Sequence, residues 1–298
     1  MIQRSAPAKL NLYLRTRGLR ADGFHNLNTV MVALDLADSL SIEPSSTLKL
    51  SSPLGLPLDE DLAGRAALAL QGNRQLPGAH LHIRKIIPSG GGLGGGSSNA
   101  AAALLALDRY WQLNTPFSHL MKLAAELGSD VPFFLTGETC LAQGRGEKLS
   151  LINAQKIELF GCLLFPDQPV ATPDAYRWLD EDGLAEDPAA EEGLKNLIDA
   201  LEKGDSEGVL ASRYNSFTEP VRRRVDVVNE GLQFLKSVGL HELLCGSGST
   251  VVGLSNQVES CRVAAENAPF PAQVVRLMGT FPASSKGTGL PKGYQDRA

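Results

Sequence analysis

Pro88-Ser89-Gly90-Gly91-Gly92-Leu93-Gly94-Gly95-Gly96-Ser97-Ser98-Asn99-Ala100-Ala101-Ala102-Ala103 is a nearly side-chain-free stretch that runs straight into a helix-forming segment. Before it, Leu81 and Ile83 alternate with His82 and Arg84 in strand fashion; after it, Ala100 to Leu113 is rich in strong helix formers. The glycines therefore sit at a strand-to-helix junction. Unsatisfied backbone N–H groups and the positive end of the helix dipole favour an anion there. Ser97, Ser98 or Asn99 is expected to cap the helix start.

The possible uses of such a loop differ in their residue requirements. A GxGxxG register exists at Gly90, Gly92 and Gly95, with Asp108 downstream for a ribose, but so glycine-rich a run meets that pattern by chance. No lysine follows a glycine at its end, so the P-loop signature is missing. A flexible linker is not usually welded to an alanine-rich amphipathic helix. A phosphate-binding loop of another kind fits best.

With 298 residues the chain suits two domains, and its organisation divides near residue 155. The expected units are 1–154, 155–280 and a loosely ordered tail over 281–298, where Ser, Gly, Pro and Lys follow no period. At 43% hydrophobic and 20% charged, the composition is that of a soluble globular protein. A net charge of −5 argues against general nucleic-acid binding. Cys140, Cys162, Cys245 and Cys261 have no CxxC spacing and read as reduced core thiols. With no signal-peptide pattern and no apolar run of bilayer length, a cytoplasmic protein without membrane partners is expected.

In the first part, Ala8 to Leu14 reads as a strand with Leu10, Leu12 and Leu14 on one face and Lys9, Asn11 and Tyr13 on the other. A charged loop, Arg15 to Asn28, should lead to strands near Val30 to Leu34 and Asp38 to Ile42. Phe117, Leu120, Met121, Ala124 and Leu127 repeat at helical spacing, with Gly128 to end that helix and Asp130 just beyond. The second part reads as strand 159–165, helices 173–179, 194–201 and 221–238, strands 240–244 and 250–254, helix 258–266 and strand 273–278. This is a split β-α-β order of ferredoxin-like type.

The segment Ala6-Pro7-Ala8-Lys9-Leu10-Asn11-Leu12, the Asp22-Gly23-Phe24-His25 turn, the glycine loop and Leu127-Gly128-Ser129-Asp130-Val131-Pro132-Phe133 occur in that order. Together, over nearly all of residues 5–280, they resemble the branch of the GHMP kinase superfamily that serves the non-mevalonate isoprenoid pathway. The resemblance implies an α+β fold with a ribosomal protein S5 domain 2-like N-terminal domain and a ferredoxin-like C-terminal domain. It also implies ATP-dependent phosphorylation of the 2-hydroxyl of 4-diphosphocytidyl-2-C-methyl-D-erythritol, with ATP and Mg²⁺ required, by a monomer or homodimer. Other GHMP kinase activities, on homoserine, mevalonate or a sugar, and a catalytically idle nucleotide-binding protein are the alternatives. Retention of both Lys9 and Asp130 argues against the idle protein.

Carried over residue by residue, the resemblance makes Asp130 the acceptor of the hydroxyl proton and Lys9 its partner, stabilising charge that develops on the oxygen. It assigns ATP to Pro88, Ser89, Gly90, Gly91, Gly92, Leu93, Gly94, Gly95, Gly96, Ser97 and Ser98, with Lys85 and Asp61 nearby. Asn11, Phe24, His25, Thr172 and Tyr176 fall on the substrate side, the aromatics stacking on cytosine and His25 reading its edge. Phe24 stands where tyrosine is common, and Asp61 where asparagine usually contacts adenine; a carboxylate cannot donate as an amide does. Plainer readings compete with each. Asp130 before Val-Pro can cap a short helix, Lys9 and Lys85 can be solvated charges, Ser98 can cap rather than hold Mg²⁺, and Gly246-Ser247-Gly248-Ser249 can be a hairpin turn rather than a second lining of the site. His80 and His82 share a strand face and have metal-ligand chemistry, but the sequence places no further ligand beside them.

Overall fold

The computed structural model describes residues 2–19, 23, 25–183 and 189–281. In chain order the elements are β1 Ile2–Leu19, β2 His25–Pro44, β3 Lys49–Ser51, α1 Leu62–Gln71, β4 Ala79–Arg84, α2 Gly95–Tyr110, α3 Phe117–Leu127, α4 Val131–Thr136, β5 Cys140–Gly144, β6 Lys148–Leu151 and β7 Phe160–Leu164. There follow α5 Thr172–Glu181, α6 Ala189–Lys203, α7 Ser206–Ser212, β8 Tyr214–Asn215, α8 Thr218–Arg222, α9 Asp226–Ser237, β9 His241–Leu244, β10 Val251–Ser255, α10 Val258–Glu266 and β11 Ala272–Met278. Phe24 and the tail from residue 282 lie outside the described residues.

β1 and β2 form one long antiparallel ribbon, from Ile2 opposite Ile42 to Leu19 opposite His25. The expected charged loop 15–28 is therefore mostly strand, and the expected pair 30–34 and 38–42 is a single strand. The polar residues that interrupt the apolar pattern are satisfied by neighbours. Asp35 accepts the Arg276 N–H, and Asp38 accepts the N–H groups of Ile86 and Ile87 together with Lys85 Nζ and Asn99 Nδ2. A buried carboxylate bonded this fully need not end a strand. At the other end of the ribbon, Arg15 and Arg17 both reach Glu191.

One edge of β2 carries β1; the other carries β5, β11 and β4 in succession. β11 also pairs with β7, so the two halves of the chain join in one sheet, ordered β3-β4-β2-β11-β7-β10-β9. Within the second half the antiparallel order β11-β7-β10-β9 runs fourth, first, third, second, the ferredoxin-like arrangement expected. The expected helix 221–238 is broken into α8 and α9. Arg222 turns to Asn229 and Arg224 to Asp182, while Val225 is extended.

Three apolar clusters hold this frame. α1 and α2 meet through small residues, Ala63, Ala66 and Ala67 against Ala100, Ala103 and Ala106, with Leu70, Leu104 and Leu107 filling the layer. Each such leucine contributes ~1.5–3 kcal/mol on burial. A second cluster crosses the halves, placing Leu10, Leu12 and Val32 with Leu163, Leu243 and Val252. The third packs α5, α8, α9 and α10 on the C-terminal strands.

Candidate active site

The glycine loop leaves β4 and enters α2, but the helix begins earlier than expected. Gly94 is its N-cap in the left-handed region, and the Ser98 N–H bonds the Gly94 carbonyl. Ser97 and Ser98 lie inside the first turn, Asn99 just beyond it, and none caps the helix. Glycine is required because φ is +71° at Gly94 and a Cβ there would lie 2.9 Å from Lys9 Cγ. At Gly92, φ is +77° and a Cβ would lie 1.9 Å from the Cys245 carbonyl oxygen. The loop is thus bare partly because protein packs against it, from β1 on one side and from the turn after β9 on the other.

That contact places the loop at the edge of a cleft of about 880 Å³ lined by both halves of the chain. Lys9 and Asn11 point into it from β1, and the Lys9 N–H holds the loop by donating to the Leu93 carbonyl at 2.9 Å. A register shift between Asn11 and Tyr13 breaks the simple alternation, so Leu14 lines the cleft while Tyr13 turns into the core. Lys9 is 5% exposed. Its Nζ lies 3.4 Å from Asp130 Oδ2 and donates to Asn11 Oδ1 at 2.5 Å.

Asn11 is held in turn. Thr29 Oγ1 donates to the Tyr13 carbonyl and so accepts from Asn11 Nδ2, each at 2.7 Å. This chain turns the amide oxygen toward Lys9 and leaves one N–H over for a ligand. Asp130 occupies the N-cap position of α4, yet its side chain makes no capping bond. Pro132 follows early in α4, where a missing N–H is harmless, and the Asp130 carboxylate remains in the cleft.

At the far side, His25 Nε2 is 2.8 Å from Asp180 Oδ1, and the imidazole stacks on Tyr176 with centroids 4.9 Å apart. Tyr176 meets Phe217 edge-on at 4.8 Å. Burial, with the Asp130 charge adding to it, pushes the Tyr176 phenol up to about 12, so it remains a neutral donor. Thr172 Oγ1 and Ser247 Oγ are 2.9 Å apart across the cleft wall, and Asn215 Nδ2 holds the Gly246 turn through the carbonyls of Leu244 and Gly246.

Lys9, Asn11, His25, Gly92, Gly94, Ser97, Asp130, Thr172 and Tyr176 therefore share one cleft, along with Gly246 and Ser247. Asp61, Lys85, Ser98 and the loop residues Pro88, Ser89, Gly90, Gly91, Leu93, Gly95 and Gly96 are not among its lining. Asp61 caps α1 by accepting the Ala63 N–H at 2.9 Å, and Lys85 pairs with the buried Asp38 beside Gly95. Thr29, Asp180, Ser129 and Phe217 also line the cleft and were not singled out from the sequence. Ser129 lies in the Leu127–Phe133 motif beside Asp130, and Thr29 is a hydroxyl beside the apolar run of β2; Asp180 and Phe217 carry no such local signal.

Residues 61–138 match the model of the GHMP kinases N terminal domain. The 4-diphosphocytidyl-2-C-methyl-D-erythritol kinase of Streptomyces avermitilis is 36% identical over 273 residues, covering 87% of this chain and 90% of that protein. The kinase of the same name from Deinococcus radiodurans is 39% identical over 267 residues, covering 87% and 86%. A crystal structure of a 4-(cytidine 5'-diphospho)-2C-methyl-D-erythritol kinase superposes with a TM-score of 0.79 at 36% identity, covering 93% of this chain and all of that one. Similarity of this extent, spanning both halves and the cleft between them, means that the chain belongs to the family of 4-diphosphocytidyl-2-C-methyl-D-erythritol kinases, within the GHMP kinases.

Proposed function

We propose that this chain transfers the γ-phosphoryl group of ATP to the 2-hydroxyl of 4-diphosphocytidyl-2-C-methyl-D-erythritol, and that the Lys9–Asp130 pair beneath the glycine loop is its chemical centre. The observation that carries this is the 3.4 Å approach of Lys9 to Asp130 in the cleft that also holds the His25–Tyr176 stack. One end of the cleft suits a phosphoryl group; the other suits a flat heterocycle.

In the proposed reaction the phosphates of ATP rest on the loop backbone and the α2 N-terminus, where N–H groups and the helix dipole meet negative charge. The acceptor hydroxyl sits against Asp130. Its oxygen attacks the γ-phosphorus as the bond to the bridging oxygen of ADP breaks, and its proton passes to the Asp130 carboxylate. Lys9, oriented by Asn11, places its ammonium where charge is redistributed in the transition state. Because Lys9 is already buried and bonded, little reorganisation is needed when the reaction occurs.

Mg²⁺ belongs to the same proposal. Ser98 Oγ is buried in the first turn of α2 with no hydrogen-bond partner, which fits a hydroxyl ligand to a cation held chiefly by phosphates. When bound, the ion neutralises charge on the phosphate oxygens. Asp38 is not a candidate ligand, since its oxygens are already engaged by Lys85, Asn99 and two backbone N–H groups.

For the cytidine end, we assign Tyr176 and Phe24 to stacking and His25, tied to Asp180, to the base edge. A soluble cytoplasmic enzyme, monomer or homodimer, accompanies this reading; no helix among the described residues is long and apolar enough to cross a membrane. The test is ADP release by the purified chain with 4-diphosphocytidyl-2-C-methyl-D-erythritol, homoserine, mevalonate or a sugar as acceptor. Turnover with the first and little with the others is expected; preference for any of the others overturns the assignment.

A further inference from the structure

The strands that lead toward the glycine loop carry a second cluster outside the cleft. Among the described residues, Glu43, His80 and His82 form a group whose ligand-type atoms all lie within 4.8 Å of one another. His80 and His82 stand on the same face of β4, and Glu43 is directly opposite His80 on β2. Glu43 Oε1 lies 2.8 Å from His82 Nε2 and 3.7 Å from His80 Nδ1. The two imidazole rings are 3.8 Å apart between centroids.

We propose that Glu43, His80 and His82 bind a zinc-class divalent cation on the outer face of the N-terminal sheet. Tetrahedral ligands on zinc, each about 2.0–2.2 Å from the ion, lie about 3.3 Å from one another, and the two distances to Glu43 bracket that separation. The His80 ring is also oriented. Its Nε2 is 2.8 Å from Ser51 Oγ on β3, and the tautomer that donates there presents the Nδ1 lone pair on the side of Glu43. An outer partner that fixes the tautomer of a ligating histidine is characteristic of metal sites. Two imidazoles and one carboxylate suit zinc and its neighbours, not magnesium, which prefers oxygen alone.

The three ligands leave room for water or a small exogenous ligand in the remaining position, and a cavity of about 440 Å³ lined by Ser51, Ser52 and His82 adjoins them. Lys49, opposite His80 on β3, brings a competing positive charge to the same edge. That charge weakens the affinity for a cation. Bound here, the ion ties β2 to β4, the strand that leads to Lys85 and the start of the loop.

The experiment is equilibrium dialysis of the full chain against Zn²⁺ with Mg²⁺ in excess, without nucleotide, alongside thermal unfolding. One equivalent of Zn²⁺ bound, a higher Tm with Zn²⁺ and no displacement by Mg²⁺ are expected. Ser51→Ala should weaken binding about tenfold, as loss of an outer partner does, and His80→Gln, His82→Gln or Glu43→Gln by more. All are surface or half-buried positions, and unchanged kinase turnover of each variant with Mg²⁺ and ATP verifies the fold. Absence of binding at about 100 µM Zn²⁺, an affinity too weak to be a built site, would overturn the proposal. So would full binding by the His80→Gln, His82→Gln double variant, which would place the ion elsewhere.

Discussion

The Lys9 ammonium lies 3.4 Å from the Asp130 carboxylate, joining the first strand to the start of α4, where the Asp130 side chain makes no capping bond. Asp130→Asn keeps the shape but cannot take the proton, so kcat should fall by roughly two to four orders of magnitude with little change in ATP binding. Lys9→Ala should be similarly impaired. The double variant should lose less than the sum of the singles in a single-turnover assay, because the residues act as a unit. Near-normal turnover by Asp130→Asn would remove it from the chemistry.

Thr29 lines the cleft and anchors the Asn11 amide, which in turn accepts from Lys9. Thr29→Val removes the hydroxyl that anchors the Asn11 amide, and losing one net hydrogen bond of about 0.5–1.5 kcal/mol should lower kcat about twofold to tenfold. KM for ATP should stay put, and Thr29→Ser should restore turnover. Failure of serine to rescue would assign Thr29 to packing alone.

Gly92 and Gly94 should fail in different assays. A Cβ at Gly92 collides with the Cys245 carbonyl, so Gly92→Ala should destabilise the fold by about 1–3 kcal/mol, read as a lower Tm. At Gly94 the nearest atom is Lys9 Cγ, so Gly94→Ala should depress kcat beyond what any loss of stability explains. Equal Tm for Gly92→Ala and wild type would mean the turn after β9 does not press on the loop.

Tyr176→Ala tests the cytidine end. Stacking on a base is worth ~1–3 kcal/mol, so KM for the cytidine acceptor should rise ~5–150-fold while KM for ATP barely moves. Steady-state kinetics with each substrate varied decides it. An unchanged acceptor KM would leave the His25–Tyr176 stack as internal packing.

The four cysteines should be chemically quiet and should make the protein sensitive to alkali. Burial pushes the thiols of Cys140, Cys245 and Cys261 up from 9.0 to about 12 and that of Cys162 to about 11. A raised folded pKa means the unfolded chain loses these protons first. The stability is fully present below about pH 9 and is lost progressively as pH rises toward the folded values. Thermal unfolding from pH 8 to pH 11 should show Tm falling across that span, and a thiol reagent at pH 8 should label the folded chain far more slowly than the unfolded one. Rapid labelling of the folded chain would contradict the burial.

The glycine loop, the strand before it, the alanine-rich helix after it and the ferredoxin-like order of the second half were legible in the sequence because each rests on local properties. These are glycine's lack of a side chain, helix propensity and periodic burial. Lys9 and Asp130 were legible only through their motifs, since nothing local separates a cleft lysine from a solvated one. What required the tertiary structure was every outcome decided by a distant partner. Asp38 leaves β2 unbroken because residues beyond β4 and in α2 bond its carboxylate; the register shift after Asn11 sends Leu14, not Tyr13, to the cleft; and the N-cap of α2 is Gly94, not a serine, at a position where φ is positive and Lys9 leaves no room for a Cβ. Likewise His80 and His82 gain Glu43 only through the pairing of β2 with β4. Propensity and period act along the chain, whereas hydrogen-bond satisfaction, register and close packing are settled between segments far apart in it.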